Sequence, residues 1–267
     1  MKRNVFGALL ALALVVSAGL IAVQQFDYNR ANEANELAQD LIQNGDLVEL
    51  EDEQVPLAQL PAERWSDEPM SENVLFLKEM DLAALQEVNP EVLGWIHVPD
   101  TELSYPLLQT VNNDIYLNKA WDGTRNSGGS IFLECENPAD FSAFNTIIYG
   151  HRMTNNSMFG SLRHYTTEEY LKEHPSVYIV MEGEVRQYNV FSAYEAPVTS
   201  PTYWLNIEKE GHKETALEHF VNSSGIESGL TPSVEDQFIT LSTCTGTGTY
   251  HSRWVVQAVL ANRWERL

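Results

Sequence analysis

The sequence predicts a mainly β protein: a closed or nearly closed barrel with a few peripheral helices, set behind an N-terminal transmembrane helix and an acidic helical arm. Three observations predict it. From about residue 92 onward, short alternating segments follow one another between turn residues, with few helical patterns among them, as in a small barrel. Val5 to Val23 is an uncharged run of 19 residues with one polar side chain, Ser17. As a helix it would span about 28 Å, close to the hydrocarbon thickness of a bilayer. Residues 24–72 hold 13 Asp and Glu against Arg30 and Arg64, a net of −11, half of the −22 carried by all 267 residues. The expected organisation is therefore a cytoplasmic tip and signal anchor at 1–23, an acidic arm at 24–72 and the barrel at 73–267.

The anchor comes first. Lys2 and Arg3 precede the apolar run, so the positive-inside rule sets the rest of the chain outside the cytoplasm, as a single-pass protein of the cell membrane. A cleaved signal peptide is the alternative, but the run is longer than a usual signal core and lacks a clean small-x-small site. Residues 27–43 form an expected amphipathic helix with Ala34, Leu37, Leu41 and Ile42 on one face, ended by Asn44-Gly45. Residues 45–72 are acidic, carry Pro56, Pro61 and Pro69, and read as a linker.

Within the barrel, Asp81 caps a short helix through Val88, with Leu82, Leu85 and Val88 inward and Asn89-Pro90 closing it. Strands are expected at 93–98, 103–108, 130–135 and 146–149, with one helical turn at 113–117. Ser176 to Met181 and Arg186 to Tyr194 flank Glu182-Gly183-Glu184, a hairpin signal. Residues 213–225 read as a helix, with Ala216, Leu217, Phe220 and Val221 at three- and four-residue spacing. Phe238 to Cys244 and Arg253 to Leu260 are the last strands.

The chemistry gathers at strand ends. Cys244 closes the stretch Thr240-Leu241-Ser242-Thr243-Cys244, and Arg253 opens the next strand, its neighbour in a hairpin. An exposed sulfur, held rigidly beside positive charge, is what a nucleophilic thiolate needs. Ile147-Ile148-Tyr149-Gly150-His151 brings a histidine to another strand end as its acid–base candidate, and His251, seven residues past Cys244, is its rival. Arg253 always carries charge and suits a developing oxyanion. Cys135, on a face with Ile131 and Leu133, is expected to be buried. A net charge of −22 argues against a nucleic-acid partner. Neither paired cysteines nor a His-x-x-x-His pattern supports a metal, and no cofactor is implied.

Further segments extend the pattern: Asn89 to Ile96, Tyr105-Pro106-Leu107-Leu108-Gln109, Asn113 to Asn118, Gly129-Ser130-Ile131-Phe132, Asn145 to His151 and Met158-Phe159-Gly160. In this order the chain resembles a class B sortase, one of the membrane-anchored cysteine transpeptidases of Gram-positive bacteria, over about residues 74–260. The helix at 213–225, between two late strands, points to class B. The Gly/Thr-rich run Thr245 to Thr249 departs from the family's loop after the cysteine.

The resemblance implies a sortase-type barrel with Cys244 as nucleophile, His151 as its acid–base partner and Arg253 as stabiliser of oxyanion and substrate. Ser242 and Thr243 would line the groove beside the thiol. Asn113, Leu117, Tyr149, Tyr203 and Trp204 would contact a sorting peptide. The expected partners are secreted proteins with a C-terminal sorting motif, an amine from a lipid-linked peptidoglycan precursor or a pilin, and the membrane. Two other classes stand beside this reading. A cell-wall cysteine peptidase or amidase would give the acyl group to water, and a non-catalytic surface barrel would only bind.

Overall fold

A computed structural model describes residues 65–244 and 251–266, helix α1 at 32–43, and eight helical residues before it (16–18, 21, 22, 25, 29 and 30). The expected span at 5–23 lies mostly outside the described residues, as do the linker at 45–64 and the Gly/Thr loop after Cys244. Among the described residues no helix is long and apolar enough to cross a membrane.

Eight strands close into a barrel in the order β1-β2-β3-β4-β7-β8-β6-β5. They are β1 (Val92–His97), β2 (Ser104–Leu108), β3 (Ile131–Leu133), β4 (Asn145–Tyr149), β5 (Ser176–Met181), β6 (Glu184–Pro197), β7 (Phe238–Cys244) and β8 (Ser252–Glu265). β2 and β3, and β4 and β7, run parallel, while the other pairs are antiparallel. Two strands outrun the sequence reading: β6 and β8 have 14 residues each and pair along their whole length. The sequence reading ended the last strand at Leu260. Its Arg263 instead reaches back to buried Glu184, which also takes Arg186, at 2.7 and 2.6 Å.

Alternation sorts the strand residues between two faces. Ile96, Leu107, Ile131, Ile148, Ile179, Val190, Ile239, Leu241 and Val256 join one cluster that fills the barrel. On the outer face, Trp95, Leu108, Phe132, Val180 and Trp264 pack beneath α1, α2 (Leu82–Val88) and the 3-10 turn Glu72–Glu79. A third cluster joins Phe144, Phe191 and Phe238 to Ala216 and Phe220 of α4 (Glu210–Asn222). The short α3 (Glu168–Glu173) is capped by Thr167.

Three helical faces differ from expectation in the same way. α1 buries Ala34, Ala38 and Ile42 and leaves Leu37 45% exposed. Alanines at the contact let it lie close enough for the Trp121 indole to donate to the Ala34 carbonyl at 2.6 Å. In α2 the Asp81 cap holds, but Val88 is exposed; in α4, Val221 is exposed. Residues 65–70 also strap onto the barrel, through Ser66 N–H to the Arg263 carbonyl and the Trp264 indole to the Glu68 carbonyl.

His97 gives this outer layer a pH response. Its Nδ1 lies 3.1 Å from the Ser104 hydroxyl, and its ring meets Phe76 edge-on. Burial lowers its pKa from 6.5 to about 4, against the opposing pull of Asp100. Below pH 6.5 the unfolded chain takes up a proton that the folded one refuses until about pH 4. The stability from this group is thus full above pH 6.5 and declines as the pH falls toward 4, by about 3 kcal/mol. In His97→Gln this part of the slope is expected to vanish, read as urea midpoints of variant and parent between pH 4 and 7.

Candidate active site

Three neighbouring strands deliver the three expected chemical groups to one rim. Cys244 is the last residue of β7, and its backbone pairs with Arg253 near the start of β8. On the other side β7 runs parallel to β4, with Tyr149 opposite Ser242. The Gly150 N–H extends this ladder to the Ser242 carbonyl at 3.2 Å. His151 and Cys244 each lie two residues beyond the last pair of this ladder, Tyr149 and Ser242. Parallel pairing matters here, because it sends the ends of β4 and β7 the same way.

His151 is half-buried, and its Nε2 lies 2.8 Å from the Leu117 carbonyl. A carbonyl only accepts, so Nε2 carries a proton, and Nδ1 is the nitrogen left to exchange one. Leu117 ends the 3-10 turn Ile115–Leu117 and is itself 37% exposed. Arg253 is half-buried; it pairs with Ala196 on its far side, and its Nη1 donates to the Ser252 carbonyl at 3.0 Å. His251, the rival histidine, sits exposed in the turn before β8, its carbonyl bound by the Val198 N–H.

The other expected residues divide. Ser242 and Thr243 are buried, at 1% and 2% exposure, because β7 is flanked by β4 and β8 and roofed from outside. Tyr203, in the 3-10 turn Pro201–Tyr203, supplies that roof: its hydroxyl lies 2.8 Å from the Ser242 hydroxyl. A buried polar network holds the turn. Asn145 donates to the Thr202 carbonyl and accepts from Thr240, Gln257 donates to Thr240, and Tyr194 donates to Gln257. Trp204 stands out at 37% exposure, its ring 5.9 Å from that of His212 on α4.

Asn113 and Tyr149 lie on the opposite wall and converge on a residue that the sequence reading missed. The Asn113 amide donates to both oxygens of Glu134, at 2.7 and 2.8 Å, and the Tyr149 hydroxyl donates to Oε2 at 2.8 Å. Glu134 is only 5% exposed. Its one sequence signal is a carboxylate directly after the apolar Ile131-Phe132-Leu133. Cys135, expected to be buried on β3, lies past the strand's end, half-buried, with its thiol donating to Glu134 at 3.3 Å. Burial, then Glu134, pushes that thiol's pKa up.

Gly129 closes the wall beneath the histidine. Its φ is +59°, and an added Cβ would sit 2.6 Å from the Tyr116 carbonyl, 2.9 Å from that of Leu117 and 3.0 Å from the His151 ring. Gly129→Ala is expected to shift both ends of the Leu117–His151 hydrogen bond and to lower turnover about 10- to 100-fold. The strained backbone adds a stability loss of about 1–2 kcal/mol, read separately as a urea midpoint.

Set against known proteins, the family model of the sortase domain matches residues 96–261. Sortase B of Listeria monocytogenes is 36% identical over 190 residues, covering 68% of this chain and 75% of that protein. The chain belongs to the sortase family, class B. It is an enzyme of sortase type, a cysteine transpeptidase. Among solved sortases, the Staphylococcus aureus sortase B–substrate complex superposes with a TM-score of 0.63 at 30% identity, covering 67% of this chain and 84% of that one. Bacillus anthracis sortase B in complex with AAEK1 gives 0.67 at 29% identity, covering 89% and 99%. The matched segment contains the rim of β4, β7 and β8 and the Glu134 wall of this sortase.

Proposed function

We propose that this sortase cleaves a C-terminal sorting motif of secreted proteins and passes the acyl group to an amine of a cell-wall precursor or a pilin. The observation that supports the reading is the register of β4, β7 and β8: Tyr149 pairs with Ser242, each two residues short of His151 and Cys244, and Cys244 pairs with Arg253. The Cys244 thiolate attacks a backbone carbonyl of the motif, forming a C–S bond. Arg253 steadies the charge on the carbonyl oxygen. As the tetrahedral species collapses, the C–N bond breaks and His151 gives the leaving amine a proton. The resulting thioester meets the incoming amine, which surrenders a proton to His151. A new C–N bond forms, and the thiolate departs. Leu117, Trp204 and Tyr203 would form the walls offered to the peptide, with buried Ser242 holding Tyr203 from below, while Thr243 is buried and not a groove residue.

The uncharged run at 5–23 supports a membrane location with the barrel outside the cytoplasm. There, enzyme, precursor and membrane-tethered substrate would meet in two dimensions. The test is intact-mass spectrometry of the full-length chain in detergent, incubated with a panel of sorting-motif peptides, with and without triglycine or hydroxylamine. A peptide adduct and a product that requires the amine are expected. An adduct resolved by water alone would replace this reading with a peptidase.

A further inference from the structure

We propose that Glu134 is a positioning residue: its buried carboxylate ties the 113–117 loop to the end of β4 and so holds the His151 ring in its Nε2–H form. The inference rests on reading His151 as the acid–base partner.

The bond to be held is the one from His151 Nε2 to the Leu117 carbonyl. Its two ends belong to separate pieces of chain. The acceptor closes a 3-10 turn that begins just after Asn113 and Asp114. The donor lies two residues beyond Tyr149, the end of β4. Glu134 grips both pieces, Asn113 through a two-pronged amide contact and Tyr149 through its hydroxyl. Asn113 is fixed from its other side too, since its Oδ1 accepts the Cys135 N–H at 2.9 Å. The Asn113 side chain therefore has one orientation that satisfies every partner.

The carboxylate is suited to this. Among the described residues no lysine or arginine pairs with it, so neutral donors alone hold its charge. Burial raises its pKa, but donors from Asn113, Tyr149, Cys135 and the Glu136 N–H outweigh that and leave it lowered. It is thus an acceptor at neutral pH and cannot turn into a donor that would repel Asn113 or Tyr149. The loop has a second anchor, since Tyr116 donates to Glu91 and accepts from Asn89. Removing Glu134 should loosen the register of the His151 bond without releasing the loop.

The experiment pairs kinetics with ¹⁵N NMR of histidine-labelled full-length protein in detergent, at a pH where His151 is neutral. The substrate is the panel peptide with the highest turnover, with triglycine as acceptor. In the parent, the two ring nitrogens should give the separated shifts of a single Nε2–H tautomer. In Glu134→Gln, kcat is expected to fall about 10- to 100-fold with KM within about twofold, and the two shifts to draw together as tautomers mix. A KM rise with unchanged kcat and an unchanged spectrum would overturn the proposal and make Glu134 a support of the peptide wall. Parental kinetics and spectrum would also overturn it. Should Glu134→Gln not fold, Tyr149→Phe removes one grip and leaves the carboxylate with Asn113 and Cys135. The same change in smaller measure supports the proposal, and parental kcat and tautomer overturn it. His151→Ala separates the two levels: retained turnover there defeats the acid–base reading itself, whatever Glu134 does.

Discussion

Cys244→Ala is expected to abolish the peptide adduct and to lower amine-dependent transfer by about 10⁴-fold or more. The argument has two parts. Thioester formation needs a sulfur, and no neighbouring group can form that bond in its place. Cys135, the other cysteine, is past the end of β3, hydrogen-bonded to Glu134 and with a raised pKa, which keeps it a thiol at neutral pH. The substitution removes one side chain at the end of β7, a strand held along its length by β4 and β8. The thermal midpoint should stay within a few degrees, so the lost activity reports chemistry and not unfolding. Adduct on Cys135 in the variant, found by peptide mapping, would reverse the assignment.

Arg253→Ala is expected to lower kcat/KM about 10²- to 10³-fold, the usual cost of removing one donor to a developing oxyanion. Most of the loss should fall on the acylation rate measured by quenched flow. Arg253→Lys keeps the charge but not the planar fork, and should recover only part of it. Arg253 belongs to a strand paired on both sides, to Ala196 and to Cys244, so its backbone stays fixed when the side chain is cut back. An unchanged acylation rate would place the oxyanion against backbone N–H groups instead.

The strands were legible because alternation within a barrel leaves a period of two, and hairpins such as Glu182-Gly183-Glu184 mark their own turns. The pairing of β4 with β7 was not, since nothing in either segment says which distant strand will lie beside it. That pairing brings the chain leading to His151 beside the chain leading to Cys244, so the candidate site was readable as residues but not as a place. Helical faces misled where alanine replaced a larger contact. Leu37, Val88 and Val221 follow the apolar rhythm and yet face solvent, while Ala38 is fully buried. Cys135 was misplaced because β3 stops at Leu133, where the chain turns so that Glu134 can collect its donors. A buried carboxylate with purely neutral partners has no period and no charge partner to betray it.

β8 also joins a fast folding step to a slow one. It is the last strand in chain order, and it fills the gap between β6 and β7. Every pairing it makes is distant in sequence with β6, so this closure is the slow kind of folding step. Its pairing with β7 is local by contrast, Cys244 facing Arg253 across a nine-residue separation, so that hairpin can form before β6 joins it. The meeting of Cys244 with Arg253 and the sealing of the barrel are thus two events, and the second fixes in place a pair of strands that the first has already joined.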